Sequence, residues 1–169
     1  YTILHFLPRP SKQYERGIML GFNGKHKGPH MFRSILEGIA LTMKNNAQAM
    51  CDELDIDLNE IVVSGGGSKG DLFMQIFSDV FGVPAHRNEV NGAAGLGSAI
   101  CAALALDVYD TREEAIKNMV RHEDTFTPEE ENHEIYTEIN NKVYKHIPEH
   151  NKKLLKKSHQ ILNEEKATV

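Results

Sequence analysis

The 169-residue sequence predicts an α/β fold. Three observations point there. Short apolar, strand-like runs alternate with helical apolar periods through the first two thirds of the chain. One such run, Ile61-Val62-Val63, ends in three consecutive glycines and leads directly into a helical pattern. Toward the C-terminus only helical patterns follow, so the sheet is under-supplied with strands for the helices that flank it.

Ile3 to Leu7 reads as a buried strand stopped by Pro8 and Pro10. Pro8 to Arg16 is polar and irregular. Ile18 to Phe22 is a second strand, and Asn23 to Gly28 a loop. The spacing then predicts a long helix. Gly28 and Pro29 suit its start, because a missing N–H costs nothing in the first turn. Met31, Phe32, Ile35, Leu36, Ile39, Met43, Ala47, Met50 and Leu54 keep the 3.6-residue period and define the expected buried face. Arg33 and Glu37 are one turn apart and form an expected i,i+4 pair, structural first and cleft-lining second.

Ile61 to Val63 is the third strand. A second helix runs from Asp71 through Phe73, Ile76, Phe77, Val80 and Phe81 to a stop at Gly82 and Pro84. Pro84 to Arg87 is a short strand, and Asn91 to Leu106 a third helix rich in Gly and Ala. Thr111-Arg112-Glu113-Glu114 and Thr127-Pro128-Glu129-Glu130 have capping-box spacing and open two further helices. Pro148 ends or kinks the second of these. A lysine-rich helix from Asn151 to Glu165 closes the pattern.

Composition narrows the function classes. The net charge of -5 disfavours a nucleic-acid surface, and the one basic cluster, Lys152, Lys153, Lys156 and Lys157, reads as a solvated helix face. No apolar run approaches the ~20 residues that cross a bilayer. Cys51 and Cys101 belong to no CxxC pair, which points to a reduced, cytoplasmic setting. His146 and His150 have metal-ligand spacing on a helix, but Pro148 lies between them and no HExxH glutamate accompanies them, so no metal site is assigned. The chain opens inside an apolar stretch without an initiator Met, as expected of a piece of a longer protein.

The chemistry-bearing signal is Ile61-Val62-Val63-Ser64-Gly65-Gly66-Gly67-Ser68-Lys69-Gly70-Asp71. Glycine permits positive φ and removes the Cβ that would hold a ligand off the backbone. The helix that follows offers free N–H groups and the positive end of its dipole. Ligands of open α/β sheets bind beyond the carboxyl ends of strands, where this turn lies. The candidate nucleotide-binding residues are therefore Gly65, Gly66, Gly67, Ser68, Lys69 and Gly70. Neither GxxxxGK[ST] nor GxGxxG is present. Taken alone, a glycine-rich turn without a ligand explains the run equally well.

Several separated motifs resemble the FGGY carbohydrate kinases. Gly17-Ile18-Met19-Leu20-Gly21-Phe22, seven further residues, and His30-Met31-Phe32-Arg33-Ser34-Ile35-Leu36-Glu37 resemble that family's second signature, with Phe22 where an aliphatic residue is usual. Phe6-Leu7-Pro8 is similar to a stretch that precedes it. Gly65 to Lys69 is similar to the family's adenosine motif, and Gln75 to Gly82 to the helix that follows. Glu89 to Ala103 resembles a connecting motif of the actin-like superfold.

The resemblance implies the C-terminal domain of an actin-like (ribonuclease H-like) ATPase fold over residues 1–169, holding ATP, with Mg²⁺ bound mainly through the ATP phosphates. A sugar is then bound mainly by an N-terminal domain that precedes Tyr1, together with the catalytic Asp and both phosphate loops. No catalytic residue is expected in this chain, which alone is expected to be inactive. Gly66 and Gly67 match positions whose backbone lies against the nucleotide. Gly70 matches one that often carries Asn or Ser facing adenine, a contact glycine lacks. Lys69 is either a phosphate-facing or a solvent-facing lysine. The implied activity is transfer of the γ-phosphate of ATP to a sugar hydroxyl. A pentulose is the first expectation for the acceptor, and gluconate and glycerol are alternatives. Partners are thus the sugar, ATP and the protein's own N-terminal domain, with a homodimer left open. A non-enzymatic actin-like module acting by assembly or regulation is the competing class. A dinucleotide-binding oxidoreductase is weaker, since it needs GxGxxG and an acid ~20 residues on.

Overall fold

The structure, a computed structural model, describes residues 1–3 and 10–164. The chain divides into two compact units. The first joins Tyr1–Glu53 to the segment from Glu134 onward, and the second is Leu54–His133.

In the first unit, β1 (Thr2–Ile3) pairs antiparallel with β2 (Ile18–Met19), Thr2 opposite Met19. The rest of the expected first strand, to Leu7, lies outside the described residues. β2 is shorter than the apolar run that announced it, and Gly21 (φ 83°) turns the chain just beyond it.

The long helix α1 spans Gly28–Leu54. The Lys27 N–H donates to His30 Nδ1 at 3.1 Å, so His30 is a helix-start residue. The period predicted the helix correctly but not its buried face. Ser34, Gly38, Ala40, Leu41 and Cys51 are buried, whereas Phe32, Met43, Met50 and Leu54 are exposed. The reason is polar and steric. Gly38 lets the Thr2 backbone approach closely, and Thr2 Oγ1 donates to Ser34 Oγ (2.8 Å), which donates to the Met31 carbonyl (2.8 Å). The buried Tyr144 hydroxyl joins this seam, 3.1 Å from the Thr2 carbonyl, 3.0 Å from the Gly38 carbonyl and 3.0 Å from Thr42 Oγ1. Asn45 and Asn140 exchange amide hydrogen bonds of 3.0 and 2.9 Å.

The helix α5 (Glu130–Lys142) ends before Pro148, contrary to expectation. A 3₁₀ turn covers Tyr144–His146, and α6 (Ile147–Glu164) takes Pro148 into its first turn, where the ring is tolerated.

In the second unit, β3 (Ile61–Val63), α2 (Asp71–Phe81) and β4 (Ala85–Asn88) make a βαβ unit, with β3 and β4 parallel and Val63 opposite Arg87. β5 (His122–Phe126) adds antiparallel to β4, giving the order β3-β4-β5. The sequence reading missed β5. Four of its five residues are exposed, and His-Glu-Asp-Thr carries no apolar alternation.

Helix α2 is the core of this unit. Met74, Ile76, Phe77, Val80 and Phe81 are buried, and each such side chain contributes ~1.5–3 kcal/mol. The Phe77 ring lies 4.6 Å from Phe73 and 5.8 Å from Phe81. Gly82 stops the helix in the left-handed region (φ 73°), its N–H donating to the Ser78 carbonyl at 2.8 Å. Helix α3 (Ala93–Ala105) has no buried residue, and α4 (Arg112–Met119) buries Ala115. Thr111 caps α4 as expected, its Oγ1 accepting from the Glu114 N–H at 3.1 Å. Thr127 does not cap α5. There the Asp79 carboxylate accepts the Glu129 N–H at 2.9 Å.

Candidate functional site

The glycine turn leaves the carboxyl end of β3, as the sequence predicts. Gly65 has φ 92° and ψ -173°, a conformation that side chains rarely adopt. A 3₁₀ turn follows over Gly66–Lys69, closed by the Ser68 N–H on the Gly65 carbonyl (3.2 Å) and the Gly70 N–H on the Gly67 carbonyl (3.1 Å). Gly70 is extended and begins α2, its carbonyl accepting from the Met74 N–H at 3.1 Å.

The six candidate residues thus form one continuous turn, but for different reasons. Gly65 is required by its positive φ. A Cβ on Gly67 would stand 2.8 Å from the Phe73 ring, which would have to move aside. A Cβ on Gly66 would meet nothing within 4 Å, and its φ is ordinary. Neither backbone nor packing accounts for Gly66. Ser68 is fully buried, its Oγ 2.8 Å from the Gly65 carbonyl and 2.7 Å from Asn91 Oδ1, so its side chain ties the turn together. Lys69 and Gly70 are exposed.

Two residues that sequence reasoning missed hold the turn. Asn91, after β4, accepts the Gly65 N–H on its carbonyl at 3.1 Å and the Ala93 N–H at 3.1 Å, joining the turn to the start of α3. Arg87, on β4, donates to the Ser68 carbonyl at 3.1 Å and to Asp71 Oδ1 at 2.9 Å. Neither belongs to a local pattern; their positions come from strand pairing.

The turn has room for an anionic ligand, such as a nucleotide phosphate, against its backbone. Gly65 and Gly66 leave open space over the backbone, and α2 starts with no side-chain cap on its N–H groups. Asp71, the carboxylate nearest the turn in sequence, is engaged by Arg87. Among the described residues no group of three or more His, Cys, Asp or Glu is arranged around a metal. His146 Nε2 lies 3.1 Å from the Asn141 carbonyl and His150 Nδ1 lies 2.8 Å from the His146 carbonyl. No helix among the described residues is long and apolar enough to cross a membrane.

Solved carbohydrate kinases share this fold. The xylulose kinase of Rhodospirillum rubrum superposes with a TM-score of 0.75 at 21% identity over 91% of this chain and 31% of its own. The Plasmodium falciparum glycerol kinase with ADP gives 0.63 at 22% identity over 77% of this chain and 26% of its own. The chain belongs to the FGGY family of carbohydrate kinases: residues 7–106 match that family's C-terminal domain. It is 44% identical, over 99% of its length, to an uncharacterized sugar kinase of Escherichia coli K12, YgcE. It spans about a third of that relative, 34% of its length.

Proposed function

We propose that this chain is the nucleotide-holding C-terminal part of a carbohydrate kinase that transfers the γ-phosphate of ATP to a sugar hydroxyl. The observation that carries this is Gly66, a glycine that neither backbone geometry nor packing demands, at a strand-to-helix turn whose helix N–H groups have no side-chain cap. Family membership supports the reaction class. The ADP of the glycerol kinase neighbour supports an adenine nucleotide.

In this reading the Gly65–Gly67 backbone lies against the nucleotide, and α2 directs its positive end toward anionic charge. Phosphoryl transfer depends chiefly on such positioning and charge neutralisation. The sugar hydroxyl oxygen attacks the γ-phosphorus, the bond from that phosphorus to the β–γ bridging oxygen breaks and ADP leaves, and the hydroxyl proton passes to an Asp outside this chain; Mg²⁺ would be carried on the phosphates and neutralise their charge. The sugar-binding domain is the N-terminal part of the same protein. A pentulose is the proposed acceptor, with gluconate and glycerol as alternatives. Xylulose and gluconate kinases among the structural neighbours support that range but share only the fold.

The test is ADP release by the full-length protein with ATP, Mg²⁺ and a panel of pentuloses, gluconate and glycerol. Turnover with a pentulose supports the reading. Nucleotide binding with no turnover on any sugar or polyol contradicts it.

A further inference from the structure

We propose that Arg87 is a positioning residue for the nucleotide turn, setting the Gly66–Lys69 backbone and drawing the Asp71 carboxylate away from the N–H groups that open α2. The proposal rests on reading that turn as the nucleotide site.

Arg87 sits on β4 opposite Val63 of β3 and Asp124 of β5. Its side chain is only 11% exposed, unusual for an arginine unless it is paired. Nη1 donates to the Ser68 carbonyl at 3.1 Å and to Asp71 Oδ1 at 2.9 Å, and Nη2 donates to Asp124 Oδ2. Glu123 Oε2 lies 3.6 Å from Nε, and the guanidinium stands 5.4 Å from the centre of the Phe126 ring. Asp124 first, then Asp71, raise the guanidinium's affinity for its proton.

Two features distinguish this from an ordinary surface ion pair. The first is the bond to the Ser68 carbonyl, which lies inside the turn. A glycine-rich segment has many backbone conformations open to it, and a donor fixed on a paired strand selects one. The second is the fate of Asp71. A carboxylate in a first helical turn is stabilised by that helix's own N–H groups and dipole. Asp71 is turned instead to Arg87, and the cap position, Gly70, has no side chain to offer the α2 N–H groups. A helix start kept clear of its own carboxylate is suited to an anion from outside.

The test measures ADP and ATP affinity by calorimetry, and KM for ATP and for the sugar, in the full-length protein. Arg87→Met is expected to weaken nucleotide affinity about tenfold or more and to raise KM for ATP with KM for the sugar unchanged. Arg87→Lys, which keeps charge but not the fork, is expected to fall between Met and wild type. Adding Asp71→Asn to Arg87→Met is expected to recover about threefold of the lost affinity, because the released carboxylate is gone. A merely structural arginine would show no such recovery. If Arg87→Met does not fold, Arg87→Lys with and without Asp71→Asn decides the question. Nucleotide affinity within about twofold of wild type in the arginine variants overturns the proposal, as does a double variant no better than the single. Those results, obtained while Gly66→Val still weakens ATP binding by about a hundredfold or more, leave the site reading intact. Undiminished binding in Gly66→Val removes that reading itself.

Discussion

The Thr2 carbonyl oxygen lies 2.2 Å from where a Cβ on Gly38 would stand. A glycine in mid-helix costs ~1 kcal/mol relative to alanine, and here it lets β1 reach the α1 backbone. Gly38→Ala is therefore expected to destabilise the protein by about 1–3 kcal/mol despite its better helix propensity. Gly24→Ala, where a Cβ meets nothing within 4 Å, is the control for denaturant melts. Equal stability of the two variants would contradict the packing described here.

Asp79 is only 3% exposed, and its carboxylate accepts from Gln75 Nε2 (2.8 Å), the Glu129 N–H (2.9 Å) and Asn132 Nδ2 (3.0 Å). It caps α5 from fifty residues away in sequence. Asp79→Asn places a second amide donor where acceptors are needed, at an expected cost of about 1–3 kcal/mol. Hydrogen exchange should show the loss locally, with faster amide exchange through the first turn of α5. Unchanged protection there would rule out the cap.

Tyr136 donates to Glu37 Oε1 at 2.9 Å, the same oxygen that accepts from Arg33 Nε at 2.9 Å. The expected Arg33–Glu37 pair is thus present, with Tyr136 as its third member. Burial first, and then the charge of Glu37, push the Tyr136 phenol from 10 up to about 12 against the opposing pull of Arg33. The folded value exceeds the unfolded one. This contribution to stability is therefore complete below pH 10 and lost as pH rises toward 12. Tyr144, raised by burial, acts in the same direction. Lys44, lowered by burial and then by Lys145, acts oppositely, gaining stability as pH approaches its unfolded value of 10.5. The difference in melting temperature between wild type and Tyr136→Phe isolates the phenol and should shrink between pH 10 and 12. A constant difference across that window would refute the assignment.

What could be read from the sequence follows from how local each cause is. Helix α1 was legible because its period is carried by its own residues, as was the Gly82 stop, whose left-handed φ only glycine adopts without strain. The Thr111 cap likewise uses a partner three residues away. The buried face of α1 was not legible, because Thr2 and Tyr144 decide it from far along the chain. β5 was hidden by its exposed charged side chains; pairing with β4 makes it a strand. At the candidate site the glycine turn was visible and its supports were not. Asn91 and Arg87 reach it only after β4 is laid parallel to β3.

The proposed nucleotide site places the ligand against the backbone at Gly66. The most direct measurement is calorimetric titration of ATP into the full-length protein and into its Gly66→Val variant, with folding of both checked by circular dichroism. A Cβ at 66 meets open space, so the variant should fold normally. Its affinity for ATP should fall by about a hundredfold or more, since bulk there would hold the ligand off the backbone. A folded variant that binds ATP as tightly as wild type would contradict the account.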